Sequence, residues 1–262
     1  MTENKSNQPR APRSDQEGRG LARALSKLGF CSRSQAWELI QAGRVRVNGA
    51  VCRDGRRSVE LQHDRVEVDQ QALQKAGPVY LMLNKPRGLV TTRSDEQGRE
   101  TVFDCFQGQG LPFLSPVGRL DKASEGLLLF TNDTRWAARI TAAESHLPKA
   151  YHVQIDRVAD AALARQVEQG QDVDGERLGA TRAVVLRTGQ KNSWLEIVLE
   201  EGKNRHIRRL LAALGVQVLR LVRVAIGPLR LEDLAKGEYR ALTEQEVQAL
   251  APRPGSGRRG GS

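Results

Sequence analysis

Between Gly118 and Asp133 the chain reads GRLDKASEGLLLFTND, a charged loop that runs straight into an uninterrupted apolar stretch, Leu127 to Phe130. A strand without polar alternation has no face to offer solvent and must be covered on both sides. Such a strand behind the loop gives its charged residues a rigid base. The run is far too short to cross a bilayer. At 262 residues the chain is long enough to bury a real core around it.

The surrounding pattern predicts further strands at Tyr80–Leu83, Tyr151–Ile155, Ala183–Arg187, Trp194–Leu199, Gln217–Val224 and Pro228–Leu231. Helices fall between them. One spans about Arg135 to Ala142, one is capped by Asp160, one carries Ile207, Leu210, Leu211 and Leu214 up to Gly215, and one opens on the Thr243–Glu246 capping box. Without a strict strand–helix–strand rhythm, this predicts an α+β domain with a mixed, mostly antiparallel sheet over residues 79–251.

A smaller unit precedes it over residues 19–68, with 69–78 expected as a polar linker. Leu21, Ala24, Leu25 and Leu28 recur at helical spacing up to Gly29. Ser32 and Gln35 form a capping box for a second helix ending near Gly43. Val45 and Val47 then alternate with arginines, Asn48-Gly49 is a hairpin signal, and a short strand follows at Arg65–Val68. Residues 1–18 and the Gly/Arg tail 252–262 have the composition of disordered ends.

Charge separates these parts. The formal net charge is +10. Residues 19–66 contribute +6, the tail +3, and residues 67–250 only +1. A basic balance points to a polyanionic partner but does not by itself separate nucleic acid from an acidic membrane surface. Within the larger unit, Gly202–Leu231 holds seven basic residues (Lys203, Arg205, Arg208, Arg209, Arg220, Arg223, Arg230) and no acid. That reads either as a solvated face or as an anion-binding surface.

Several chemistries lack their signatures. There is no phosphate-binding loop, no dinucleotide fingerprint and no nucleophile elbow. His63, His146, His152 and His206 have no metal-ligand spacing. No metal and no cofactor are expected. Cys31, Cys52 and Cys105 are sparse and odd in number, as in a reduced cytosolic protein, and residues 1–20 have no apolar segment of a secretory signal. In the loop, Asp121 lies between Arg119 and Lys122, which can hold its carboxylate ionised and can also meet phosphates. The alternative is a loop aspartate that satisfies backbone N–H groups.

The segment GRLDKASEGLLLFTND resembles the signature of the bacterial pseudouridine synthases that act on ribosomal small- and large-subunit RNA, the RsuA/RluB/RluE/RluF family. YLMLNKPRGLVTT, TVFD, KAYHV, EGKNRHIRRLLAALGVQVLRLVRVAIGPLRL and GEYRALTEQEV extend the resemblance to about residue 250. The run SRSQAWELIQAGRVRVNG resembles the alpha-L (S-four-type) RNA-binding module. There Arg23, Lys27, Arg33, Arg44 and Arg46 are expected to face RNA. The resemblance implies isomerisation of uridine to pseudouridine, without a cofactor, by a cytoplasmic monomer acting on ribosomal RNA or a pre-ribosomal particle. Large-subunit RNA is the expected substrate, small-subunit RNA the alternative, and a non-catalytic assembly factor the reading from another class. No membrane partner is expected.

By the same resemblance Asp121, Tyr151 and Arg208 are the catalytic set. Asp121 would attack the sugar C1′ or take a proton at C2′. Tyr151 would stack on the base, Arg208 would pair with the aspartate, and Leu221 would pack beside the base. Arg119, Lys122, Lys203, Arg205 and Arg209 would bind substrate. A base buried in a helix must be turned out to be reached, which calls for a stacking ring and an apolar wall. His206 stands where the family often has Gln or Glu.

Overall fold

The computed structural model describes residues 20–74, 76–93 and 95–251. The two expected disordered ends, 1–18 and 252–262, lie outside the described residues. The chain divides into two compact units, one up to Ala76 and one from Gly77.

The first unit opens with helices α1 (Leu21–Lys27) and α2 (Arg33–Gln41). The Ser32 hydroxyl accepts from the Gln35 N–H, and the Gln35 side chain accepts in return from the Ser32 N–H, which satisfies two of the donors a helix start leaves open. A four-stranded antiparallel sheet follows, in the order β2 (Ala50–Val51), β1 (Val45–Val47), β3 (Val66–Val68), β4 (Gln71–Ala72). Asn48 (φ 53°) and Gly49 (φ 81°) both take the left-handed conformation that a two-residue hairpin requires. Leu21, Leu25, Ile40, Val45, Val47 and Val66 form this unit's own core. The segment read as a linker, 69–78, is ordered at its start. Asp69 accepts a bond from Arg44, and Gln71–Ala72 pairs with β3. Two residues of polar edge strand carry no hydrophobic alternation, so the pattern had nothing to register.

The second unit is built on a nine-stranded mixed sheet. Its strands include β5 (Tyr80–Lys85), β6 (Ser115–Val117), β7 (Glu125–Thr131) and β8 (Lys149–Ile155). A hairpin of β9 (Gln171–Val173) and β10 (Glu176–Leu178) stands apart from it. The sheet is completed by β11 (Arg182–Thr188), β12 (Ser193–Leu199), β13 (Val218–Ile226), β14 (Leu229–Arg230) and β15 (Tyr239–Ala241). The path runs β11–β12–β8–β13–β7–β5–β15, with β14 beside β13 and β6 beside β7. Among the described strands of this sheet, only β13 and β7 pair in parallel.

All seven residues of β7 are buried. Leu128 and Phe130 enter one core with Tyr151, Val153 and Leu221. Leu127 and Leu129 enter a second with Trp136, Ile140 and Leu250. The apolar run therefore serves two layers, each leucine contributing about 1.5–3 kcal/mol by burial. Gly126 (φ +100°) lies so close to β13 that a Cβ there would sit 2.2 Å from the Arg223 carbonyl oxygen.

Helices α3 (Thr134–Thr141), α4 (Ala161–Gln169), α5 (His206–Ala213) and α6 (Glu244–Leu250) pack on the sheet. Asp133 caps α3 through the N–H groups of Arg135 and Trp136 while its other oxygen accepts from the Tyr80 hydroxyl at 2.9 Å, which ties the helix to β5. Asp160 and Thr243 cap α4 and α6 as their sequence spacing predicts. No helix among the described residues is long and apolar enough to cross a membrane.

Candidate active site

Residues 118–124 form the loop that enters β7, and it is held from beneath. Lys85, at the end of β5, is fully buried. Its Nζ donates to the carbonyls of Ser124 at 2.8 Å, Asp121 at 3.2 Å and Pro86 at 3.2 Å. Burial pushes this ammonium down to about 8, against the pull of Glu125 and Asp121. The Thr91 hydroxyl donates to the Leu120 carbonyl at 2.7 Å and accepts from the Leu120 N–H at 3.3 Å. The Gly88 N–H donates to the Lys122 carbonyl at 2.8 Å. The Asp121 carboxylate is thereby carried on a backbone fixed on both sides, with its side chain 39% exposed.

The loop borders a cleft of about 530 Å³. Asp121 and Arg119 line it from the loop, Tyr151 from β8, Leu221 from β13, and Lys203, Arg205 and Arg208 from the start of α5 and the turn before it. Tyr151 and Leu221 share a face because Leu221 is in register with Val153, two residues along β8. Both are more than nine-tenths buried. A ring and an apolar wall therefore stand together beside a carboxylate.

Arg205, expected as a substrate contact, is the ion-pair partner of the aspartate, with its Nη1 3.6 Å from Asp121 Oδ2. It stands at the N-terminus of α5 in a left-handed conformation (φ 48°) uncommon for a side-chain-bearing residue. Arg208, expected to make that pair, instead donates to the carbonyls of Ala123 at 3.2 Å and Val218 at 3.3 Å, bracing the loop against β13. It is one turn further into the helix, and burial lowers its pKa, as does the charge of Arg205, while Asp121 raises it.

Lys122 and Arg209 are not among the cleft residues. Lys122 is exposed. Arg209 is committed to Glu176 at 2.7 Å and Asp174 at 3.4 Å. Four of the seven cations in the acid-free run 202–231 are thus paired with carboxylates from elsewhere: Asp121 for Arg205, Glu176 for Arg209, Glu176 and Glu201 for Lys203, and Glu125, bidentate, for Arg220. The Asp174-Gly175 turn of the β9–β10 hairpin (φ 54° and 75°) supplies this acid edge, and that dipeptide is the signal that could have revealed it. Lys85, Thr91 and Lys149 also went unread as part of the site, and Arg223 was read only as a member of the basic run. A lysine ending an apolar strand was the available sign for the first. His206 is buried at the base of α5, and burial lowers its pKa. No group of three or more metal-ligating side chains occurs among the described residues.

In the first unit Arg23, Lys27, Arg33, Arg44 and Arg46 are exposed. Arg44 is paired with Asp69 at 2.8 Å, and Arg46 donates to the Gly49 carbonyl at 3.0 Å.

Both halves of the chain have known counterparts. Residues 79–213 match the RNA pseudouridylate synthase family and residues 19–66 match the S4 domain. A ribosomal large subunit pseudouridine synthase B of Bacillus subtilis is 33% identical over 233 residues, covering 88% of this chain and 94% of that protein. An uncharacterised RNA pseudouridine synthase of Aquifex aeolicus is 37% identical over 229 residues, covering 86% and 91%. A crystal structure of a pseudouridylate synthase superposes with a TM-score of 0.60 at 31% identity, covering 88% of this chain and 99% of the other. A carboxylate on a braced loop, a buried tyrosine beside an apolar wall and these matches converge: the chain belongs to the RNA pseudouridylate synthase family.

Proposed function

We propose that the protein converts a specific uridine of large-subunit ribosomal RNA to pseudouridine. The observation that carries the chemistry is the Asp121 carboxylate in the same cleft as Tyr151 and Leu221. In the reaction the N1–C1′ bond breaks, uracil turns, C5 bonds to C1′, the C5 proton is lost and N1 gains one. Atoms and electrons balance within the nucleotide, so no redox partner or nucleotide cofactor is consumed.

Asp121 supplies the base or nucleophile at the sugar, and either role needs it ionised. The Arg205 guanidinium stands 3.6 Å from it. Tyr151 stacks on the turned-out base, Leu221 closes its other side, and Arg208 keeps the loop in place. Arg119 and Lys122 meet phosphates at the rim. The N-terminal unit, with its surplus of exposed arginines, holds structured RNA. Its ribosomal RNA substrate puts it in the cytoplasm, and a monomer suffices for the scheme because one chain furnishes every group it uses. The large-subunit assignment is supported by the name of the Bacillus relative.

Transcripts of 23S and 16S RNA treated with the purified protein, then mapped by carbodiimide-dependent primer-extension stops, test this. One new stop in 23S RNA is expected. A stop only in 16S RNA would move the substrate to the small subunit. Binding without any stop would make the protein a non-catalytic ribosome-assembly factor.

A further inference from the structure

The cleft contains a second cationic centre that the scheme above does not use. Lys149 and Arg223 both line it. Arg223 is directly opposite Tyr151 across β13 and β8, and Lys149 lies two residues before Tyr151 on the same face. Arg223 is 6% exposed. Its Nε donates to the Leu127 carbonyl at 2.7 Å, and its Nη2 is sealed from solvent with no hydrogen-bond partner. Lys149 Nζ donates to the Glu200 carbonyl at 3.1 Å.

Among the described residues neither cation has a carboxylate partner, in contrast to Arg205 and Lys203 in the same cleft. The two repel each other: after burial, the charge of Arg223 is the main influence lowering the Lys149 pKa, against Glu200. A buried guanidinium with an unmet donor beside a second unpaired cation is costly in the free protein. An anion entering the cleft would offset the charge of both.

We propose that Lys149 and Arg223 form a phosphate subsite that receives a phosphodiester flanking the target uridine. Lys149 lies roughly 7 Å from Tyr151 along the strand, and Arg223 stands directly opposite that tyrosine. The subsite would pull the nucleotide into the cleft by its backbone, while Tyr151 and Leu221 hold the base. The inference rests on the pseudouridine synthase reading and gives a role to two further residues of the same cleft.

An oligonucleotide carrying the mapped target uridine, with a single neutral methylphosphonate linkage placed on its 5′ or its 3′ side, tests the subsite. For the wild type, one of the two neutral linkages is expected to raise KM roughly tenfold with kcat within about twofold, as for loss of a charge-assisted hydrogen bond. Lys149→Met is expected to raise KM by a similar factor on the natural linkage and to lose less than the wild type does on passing to the neutral one, where Arg223 alone remains to sense the charge. The salt slope of log KM should also fall by about 0.7 in that variant. Arg223→Gln, which removes the second cation, should behave as Lys149→Met does once circular dichroism shows that it folds. Indifference of the wild type to both neutral linkages would overturn the subsite, as would equal losses in Lys149→Met on neutral and natural linkages. Failure of the wild type to form pseudouridine in the unmodified oligonucleotide and in the full transcript would instead overturn the functional reading beneath it.

Discussion

Lys85 holds Asp121 from below: its buried ammonium donates to the Asp121 backbone carbonyl at 3.2 Å, and to that of Ser124, the end of the same loop, at 2.8 Å. The contact is to the backbone, so Lys85 acts on where the carboxylate stands. With its pKa near 8, the lysine begins to lose its proton close to neutral pH. The neutral amine has one donor fewer for the carbonyls it serves. Pseudouridine formation is therefore expected to fall along an alkaline limb centred near pH 8. Lys85→Met should lower kcat by about 10-fold to 10²-fold through misplacement of the loop, and should lose that limb. The linkage to stability has the opposite sign. The folded pKa lies below the unfolded value, so between pH 8 and 10.5 the unfolded chain binds more protons, and this group makes folding more favourable as pH rises. A pH–rate profile of both proteins, with urea unfolding at pH 7 and 9.5, checks the pair of statements. An alkaline limb retained in Lys85→Met would remove Lys85 as its source.

The two arginines near Asp121 separate by what they touch. Arg205→Gln removes the ion pair and leaves the loop braced, so kcat should fall while thermal stability stays within about 0.5 kcal/mol, as for exposed pairs. Arg208→Gln removes donors to Ala123 and Val218 and should cost about 1–3 kcal/mol of stability as well as activity. Equal stability losses in both variants would contradict this division.

Much of this arrangement was legible in the sequence, and the unread parts share a cause. Local signals carried the capping boxes at Ser32 and Thr243, the Asn48-Gly49 hairpin and the buried strand at Leu127–Phe130. Each is decided by neighbours a few residues away. The family-like frame put Asp121, Tyr151 and Leu221 together, and they do line one cleft. What went unread depends on pairings across long stretches of chain. Arg209 meets Glu176 only because the β9–β10 hairpin folds beside α5, and Arg220 meets Glu125 only because β13 lies along β7. The exchange of Arg205 for Arg208 as the partner of Asp121 reflects the left-handed residue that begins α5, a backbone conformation that spacing does not reveal.

Gly126 is required by the close approach of β13. Gly126→Ala would place a Cβ 2.2 Å from the Arg223 carbonyl in a conformation that L-residues avoid. The strands must then separate, and a loss above about 1 kcal/mol is expected. Gly88, also at positive φ but with open space at its Cβ, isolates the conformational part: Gly88→Ala should cost less. Denaturant midpoints of the two variants measure the difference, and equal midpoints would contradict the close-packing explanation.

The N-terminal unit has its own core, and the second unit begins at Gly77. A protein beginning at Gly77 should fold, bind ribosomal RNA less tightly and with a shallower salt dependence, and modify the target uridine less selectively. Unchanged selectivity on the full transcript would show that the N-terminal unit does not direct site choice.

The most direct test of the central claim is the rate of pseudouridine formation in ribosomal RNA by Asp121→Asn beside the wild type, with RNA binding measured on the same preparations. The substitution keeps the size of the side chain and removes its charge. RNA affinity is expected to stay within about twofold while the rate falls by at least about 10²-fold, the smallest effect expected of a positioned base or nucleophile. Pseudouridine formed by Asp121→Asn at the wild-type rate would contradict it.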